Sequence, residues 1–169
     1  KEAGKAAIDD NWTRYSPVPG YADLKKAIVD KLKRENNLEY TSEEVLVSNG
    51  AKQCVCNAVL ALVNAGDEVI IPAPYWVSYP QMVKLAEGIP VYVEAKIEAD
   101  FKITPAQLEA AITPKTKMII LCSPSNPTGS VYTAEDLEGL AKVIMKHDDL
   151  YVVADEIYEH ISYVGKHAS

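Results

Sequence analysis

Four short stretches combine side chains that could do chemistry with turns that would hold them still. Ser48-Asn49-Gly50-Ala51-Lys52-Gln53 is a glycine turn running straight into a helical pattern. Free backbone N–H groups at a helix start form an anion site suited to a phosphate. The segment from Pro72 to Pro80 gathers Tyr75, Trp76 and Tyr79, aromatics on which a planar heteroaromatic ring could stack. Ser123-Pro124-Ser125-Asn126-Pro127-Thr128-Gly129 holds an amide on a rigid turn between two prolines, and the Asn126–Pro127 bond is trans by default. Asp155-Glu156-Ile157-Tyr158-Glu159-His160 sets a carboxylate at the end of an apolar run. Desolvation there disfavours the charged form unless a cation or a hydrogen-bond donor stands opposite. Each stretch alone has a plainer reading: an ordinary strand-to-helix turn, core or interface aromatics, an Asx-Pro turn, a helix N-cap aspartate.

The elements around these stretches alternate. After an opening helical stretch and a loop at Tyr15–Gly20, whose prolines and glycine forbid regular structure, Leu24, Ile28 and Leu32 mark an amphipathic helix. Apolar runs at Val45–Val47, Glu68–Ile71, Pro90–Val93, Met118–Leu121 and Leu150–Ala154 read as strands. Helices are expected over Ala51 to about Asn64, Val77–Ala86, Pro105–Ile112 behind Thr104 as N-cap, and from Thr133 onward. Strands alternating with helices predict an α/β fold, a mainly parallel sheet with flanking helices, and no linker marks an internal domain boundary. In such sheets ligands bind beyond the carboxyl ends of the strands, and all four stretches fall there.

The 169 residues carry 48% hydrophobic and 24% charged side chains, a globular composition. A net charge of −7 without a basic run argues against a nucleic-acid partner and for a small molecule. Cys54, Cys56 and Cys122 form neither a disulfide framework nor metal-ligand spacing, so no metal is expected. His147, His160 and His167 have no triad or metal spacing and read as surface or structural residues. No apolar run approaches the roughly 20 residues that span a bilayer, and the expectation is a soluble, cytoplasmic protein. Lys1-Glu2-Ala3 has no initiator Met and already reads as helix, and Ser169 stops soon after a strand signal, so the chain is expected to be cut at both ends.

Taken together and in this order, N-G-A-K-Q, P-Y-W-x-x-Y, S-N-P-T-G and D-E-I-Y-E-H resemble the class I (fold type I) aminotransferases across nearly the whole chain, most closely the bacterial aspartate aminotransferase group. The resemblance implies an incomplete large domain over 1–169 that binds pyridoxal 5′-phosphate, with Asp155 at the ring nitrogen and Asn126 and Tyr158 at the phenolic oxygen. It implies Trp76 stacked on the ring, the Gly50-Ala51 backbone at the phosphate, and Lys52 beside it, at the phosphate or toward an acidic substrate. Tyr15 would reach the phosphate of a neighbouring subunit in a homodimer. An amino acid, aspartate or glutamate, and a 2-oxo acid would be the substrates. The physics agrees, because a carboxylate beside the ring nitrogen favours its protonated, electron-withdrawing form.

The family's Schiff-base lysine lies well beyond the Asp-x-x-Tyr motif, and Lys166 lacks its Ser-Lys context. No catalytic residue is therefore assigned, and the 169 residues alone are expected to be inactive. Alternatives are another fold type I enzyme, such as a decarboxylase or lyase, or a non-catalytic aminotransferase-like module. A nucleotide-binding domain is disfavoured, since Ser48–Gln53 carries one glycine where dinucleotide and P-loop sites need several.

Overall fold

The computed structural model describes residues 1–169 and divides into two compact units, Lys1–Ser48 and Asn49–Ser169. No change of composition marks the division, which is why the sequence alone suggests none.

The first unit holds α1 (Glu2–Asp9) and α2 (Ala22–Lys31), the latter extended by a π-helical turn over Leu32–Asn36. Asn37 then takes φ 57°, a left-handed conformation that asparagine tolerates better than most residues. A single 3-10 turn follows at Ser42–Glu44, where the Glu44 carboxylate accepts from the Thr41 amide at 2.7 Å. Gly20 closes the proline loop at φ 100°, and a Cβ there would meet the Val47 side chain at 2.6 Å. The expected strand at Val45–Val47 is not formed. Its backbone is extended at Val45 (φ −106°, ψ 124°) but joins no ladder. The Val47 amide donates instead to the Pro19 carbonyl at 3.0 Å. An apolar extended run becomes a strand only when a neighbour takes its N–H and C=O groups.

The second unit bears out the alternating pattern: α3 (Ala51–Leu62), β1 (Glu68–Ala73), α4 (Ser78–Leu85), β2 (Ile89–Glu94), α5 (Pro105–Ala111), β3 (Thr116–Cys122), α6 (Ala134–Ile144) and β4 (Tyr151–Asp155). The strands form one parallel sheet in the order β2-β1-β3-β4. The pleat divides its side chains between two cores. Val69, Ile71, Met118 and Ile120 pack with Val55 and Val59 of α3 and Val83 of α4 on one face. Ile70, Ile119 and Leu121 pack with Leu108 of α5 and Leu140 of α6 on the other. Burial on both faces explains why β1 and β3 read as unbroken apolar runs. Thr104 and Thr133 start α5 and α6 with capping boxes, closed by Gln107 and Asp136. The chain leaves β1 for β2 on one side and then crosses to β3 on the other, so the winding reverses between β1 and β3. That reversal opens a crevice at the carboxyl end of the sheet.

Candidate functional site

The carboxyl ends of β1, β3 and β4 and the start of α3 surround a cavity of about 200 Å³, lined by Ala51, Trp76, Tyr79, Asn126, Asp155 and Tyr158 among others. All of these except Tyr79 are residues that the resemblance assigns to the cofactor, and the fold brings them to one place. Gly50 and Lys52 flank Ala51 without lining the cavity. Tyr15 belongs to the Lys1–Ser48 unit, where its side chain is fully exposed.

At the α3 start, Gly50 is the N-cap at φ 86°, and no side chain caps the helix. A Cβ at Gly50 would meet nothing within 4 Å, so what demands glycine is backbone conformation, with open space beside it. Gln53 reaches back to accept from the Asn49 amide at 2.7 Å, which fixes the turn. No acidic residue occupies the first turn, so the positive end of the helix is not offset by a side-chain charge there.

The loop between β1 and α4 presents Trp76 half-buried, with the Tyr79 ring edge-on at 5.4 Å and an interplanar angle of 90°. Lys52 Nζ stands 5.0 Å from the centroid of the Trp76 ring, a cation–π distance. After β3, the Ser123–Ser130 loop closes on itself: Ser125 N donates to Ser130 O at 2.9 Å and Gly129 N to Ser125 O at 2.8 Å. The Asn126–Pro127 peptide is cis, as are Ala73–Pro74 and Ser123–Pro124, against the trans expectation.

Asp155 ends β4 with 7% of its surface exposed. Its carbonyl accepts from Ser123 N at 3.1 Å, tying it to the β3 loop. Oδ2 accepts from the Tyr79 hydroxyl at 2.6 Å, and Oδ1 from Ile157 N at 3.3 Å. These are the donors that a carboxylate at an apolar strand end requires. Tyr79 is itself 2% exposed. Burial first, and then the hydrogen bond to Asp155, push its phenol far above the ordinary tyrosine range, so it remains a donor. Burial also raises the thiol of neighbouring Cys122. The motifs mark Tyr79 only as one of three aromatics, and Cys122 not at all. A signal for Tyr79 is nevertheless present in the sequence, since a strand-end carboxylate needs a donor and Tyr79 carries a hydroxyl one helical turn past Trp76. Among the histidines, His167 lies against Glu156, with Nε2 3.2 Å from Oε1.

The family model for aminotransferases of class I and II matches residues 1–169. The chain is 53% identical over 165 residues to the aspartate/prephenate aminotransferase of Nitrosomonas europaea, covering 98% of this chain and 42% of that protein. It is 54% identical over 162 residues to the bifunctional aspartate aminotransferase and glutamate/aspartate-prephenate aminotransferase of Petunia hybrida, covering 96% and 34%. Among solved structures, the aspartate aminotransferase of Thermus thermophilus with maleate superposes with a TM-score of 0.94 at 46% identity, covering 99% of this chain and 44% of that one. The aromatic aminotransferase of Pyrococcus horikoshii superposes with the same score at 40% identity, covering 99% and 45%. The chain thus spans about two fifths of the length of most of these relatives.

Proposed function

The chain belongs to the aminotransferases of class I and II, and from that membership we propose that the protein moves an amino group between an amino acid, aspartate or glutamate, and a 2-oxo acid. The family depends on pyridoxal 5′-phosphate. Bound, this cofactor supplies an electron sink for charge left at the substrate α-carbon.

The residues at the cavity fit the cofactor. The observation that carries the reading is a buried carboxylate, Asp155, opening onto a cavity beside an aromatic and an uncapped helix start. In this reading Asp155 keeps a proton on the ring nitrogen by charge. The amides at Gly50 and Ala51, with the α3 dipole behind them, hold the phosphate. Asn126 and Tyr158 hydrogen-bond the phenolic oxygen, and Trp76 covers a ring face. Lys52 stands by the phosphate or meets the distal carboxylate of an acidic substrate, whose lost hydration an ammonium within about 4–6 Å offsets. Tyr15 would serve the phosphate of a partner subunit in a homodimer.

The 169 residues form part of a larger cofactor-binding domain in this reading. Support comes from β4, which has one strand neighbour and exposes Tyr151 and Val152. No lysine lines the cavity, so the 169 residues alone should be inactive, and transaminase turnover by them would refute that. The free cysteines suit a cytoplasmic setting, and no helix is long and apolar enough to cross a membrane.

In the full-length protein, Asp155→Asn should remove most activity while cofactor binding persists; a near-normal kcat would sink the assignment. Lys52→Met should lower kcat/KM for aspartate far more than for leucine. Equal losses would assign Lys52 to the phosphate, and no loss would leave it on the surface.

A further inference from the structure

We propose that Tyr79 is the positioning residue of this site: its buried hydroxyl holds one oxygen of Asp155 and so sets how firmly the carboxylate keeps a proton on a heteroaromatic nitrogen opposite it. The proposal rests on the cofactor role of Asp155 proposed above and adds a residue that no motif assigned.

The geometry is that of a strong hydrogen bond. The O···O distance is 2.6 Å and the two residues are 2% and 7% exposed. Donors to ionised acceptors are shorter and about twice as strong as neutral pairs, and a low local dielectric strengthens them further. The commitment is also one-sided. Oδ2 is engaged by Tyr79, whereas Oδ1 has only the longer 3.3 Å contact from Ile157 N. Oδ1 is therefore the oxygen with lone pairs to spare for a ligand.

Tyr79 is also fixed from behind. Its ring sits in the core cluster with Val55, Val59, Met82 and Val83, and it meets Trp76 edge-on at 5.4 Å. One rigid side chain thereby sets the acid and braces the stacking aromatic. Withdrawing the hydroxyl would leave the carboxylate less stabilised as an ion. The proton it shares with a ring nitrogen would move toward the carboxylate.

The test uses the full-length protein loaded with pyridoxal 5′-phosphate labelled with ¹⁵N in the ring. In Tyr79→Phe the ring resonance should move toward that of unprotonated pyridine, and cofactor affinity should fall roughly tenfold or more, the effect of one hydrogen bond to a charged group. Fluorinated tyrosine at position 79, a stronger donor of nearly the same shape, should move the resonance the opposite way, and it serves equally if the phenylalanine variant does not fold. A resonance that stays put in both variants would overturn the proposal and leave Tyr79 as a core residue. Asp155→Asn is the control. If it leaves the resonance in place, the assignment of Asp155 itself fails, whatever Tyr79 does.

Discussion

Every fully buried hydrophobic side chain lies in Asn49–Ser169, in two clusters on opposite faces of one sheet. Lys1–Ser48 buries none, although it carries two helices, one of them visibly amphipathic. The second unit is held by packing. The first shows local devices in place of a core: the Thr41–Glu44 capping box, the left-handed Asn37, the approach of Gly20 to Val47, and the edge contact of Trp12 with Tyr21. Amphipathic pattern alone does not produce a core, because an apolar stripe stabilises only what it is pressed against. The cavity with its buried carboxylate sits in the unit that packs.

Perturbations of each unit put this difference to the test. The largest effect is expected at the sheet centre, where Ile119 is wholly buried. Ile119→Ala should cost about 2–5 kcal/mol in denaturant melts, the range for deleting a buried aliphatic side chain. A loss no larger than a surface mutation's would mean that the sheet does not carry the unit.

Next comes Gly20→Ala. Nothing around Gly20 is fully buried, yet φ 100° and a Cβ 2.6 Å from Val47 leave no room for alanine. It should cost more than about 1 kcal/mol and abolish hydrogen-exchange protection at the Val47 amide, which bonds Pro19 O. Retained protection would show that backbone geometry does not hold the first unit.

The third effect appears only in alkali. Tyr79 has its phenol raised above the unfolded value, so its contribution is complete below the ordinary tyrosine pKa of about 10 and is lost as pH climbs above that. Stability should therefore fall more steeply above about pH 10 in the native sequence than in Tyr79→Phe. Parallel curves would mean that Tyr79 is not buried in solution as it is here.

The smallest effect is expected at Leu24, an amphipathic position on α2 that is 45% exposed. Leu24→Ala should change stability by no more than about 0.5 kcal/mol. A cost near that of Ile119→Ala would reveal a hidden partner for α2.

The same difference between the units governs how far the sequence could be read. The strands at Glu68–Ala73 and Thr116–Cys122 were legible because burial on two faces writes an unbroken apolar run, and the helices at Pro105 and Ala134 because Thr104 and Thr133 announce them. Val45–Val47 misled because the same pattern needs a ladder partner, and pairing is not local information. At the site, Trp76, Asn126, Asp155 and Tyr158 could be found one motif at a time, since each motif sits at the end of a single strand: Trp76 after β1, Asn126 after β3, and Asp155 with Tyr158 at the end of β4. The bond between Tyr79 and Asp155 could not, because it joins residues 76 positions apart and depends on which strands are neighbours. The division at Ser48 was equally invisible, with no linker composition to signal it.

The spacing of Trp76 and Tyr79 has a consequence for how such a sequence can vary over time. The two residues stand one turn apart where the loop enters α4, with Tyr79 N donating to Trp76 O at 3.1 Å. Each residue added to a helical turn rotates the side chains beyond it by about 100°. A one-residue insertion or deletion between them would therefore swing the hydroxyl off the carboxylate or the indole off the cavity, with every side-chain type unchanged. Substitution at Val77 or Ser78 keeps the spacing, whereas a change in the length of the segment abandons one of the two contacts.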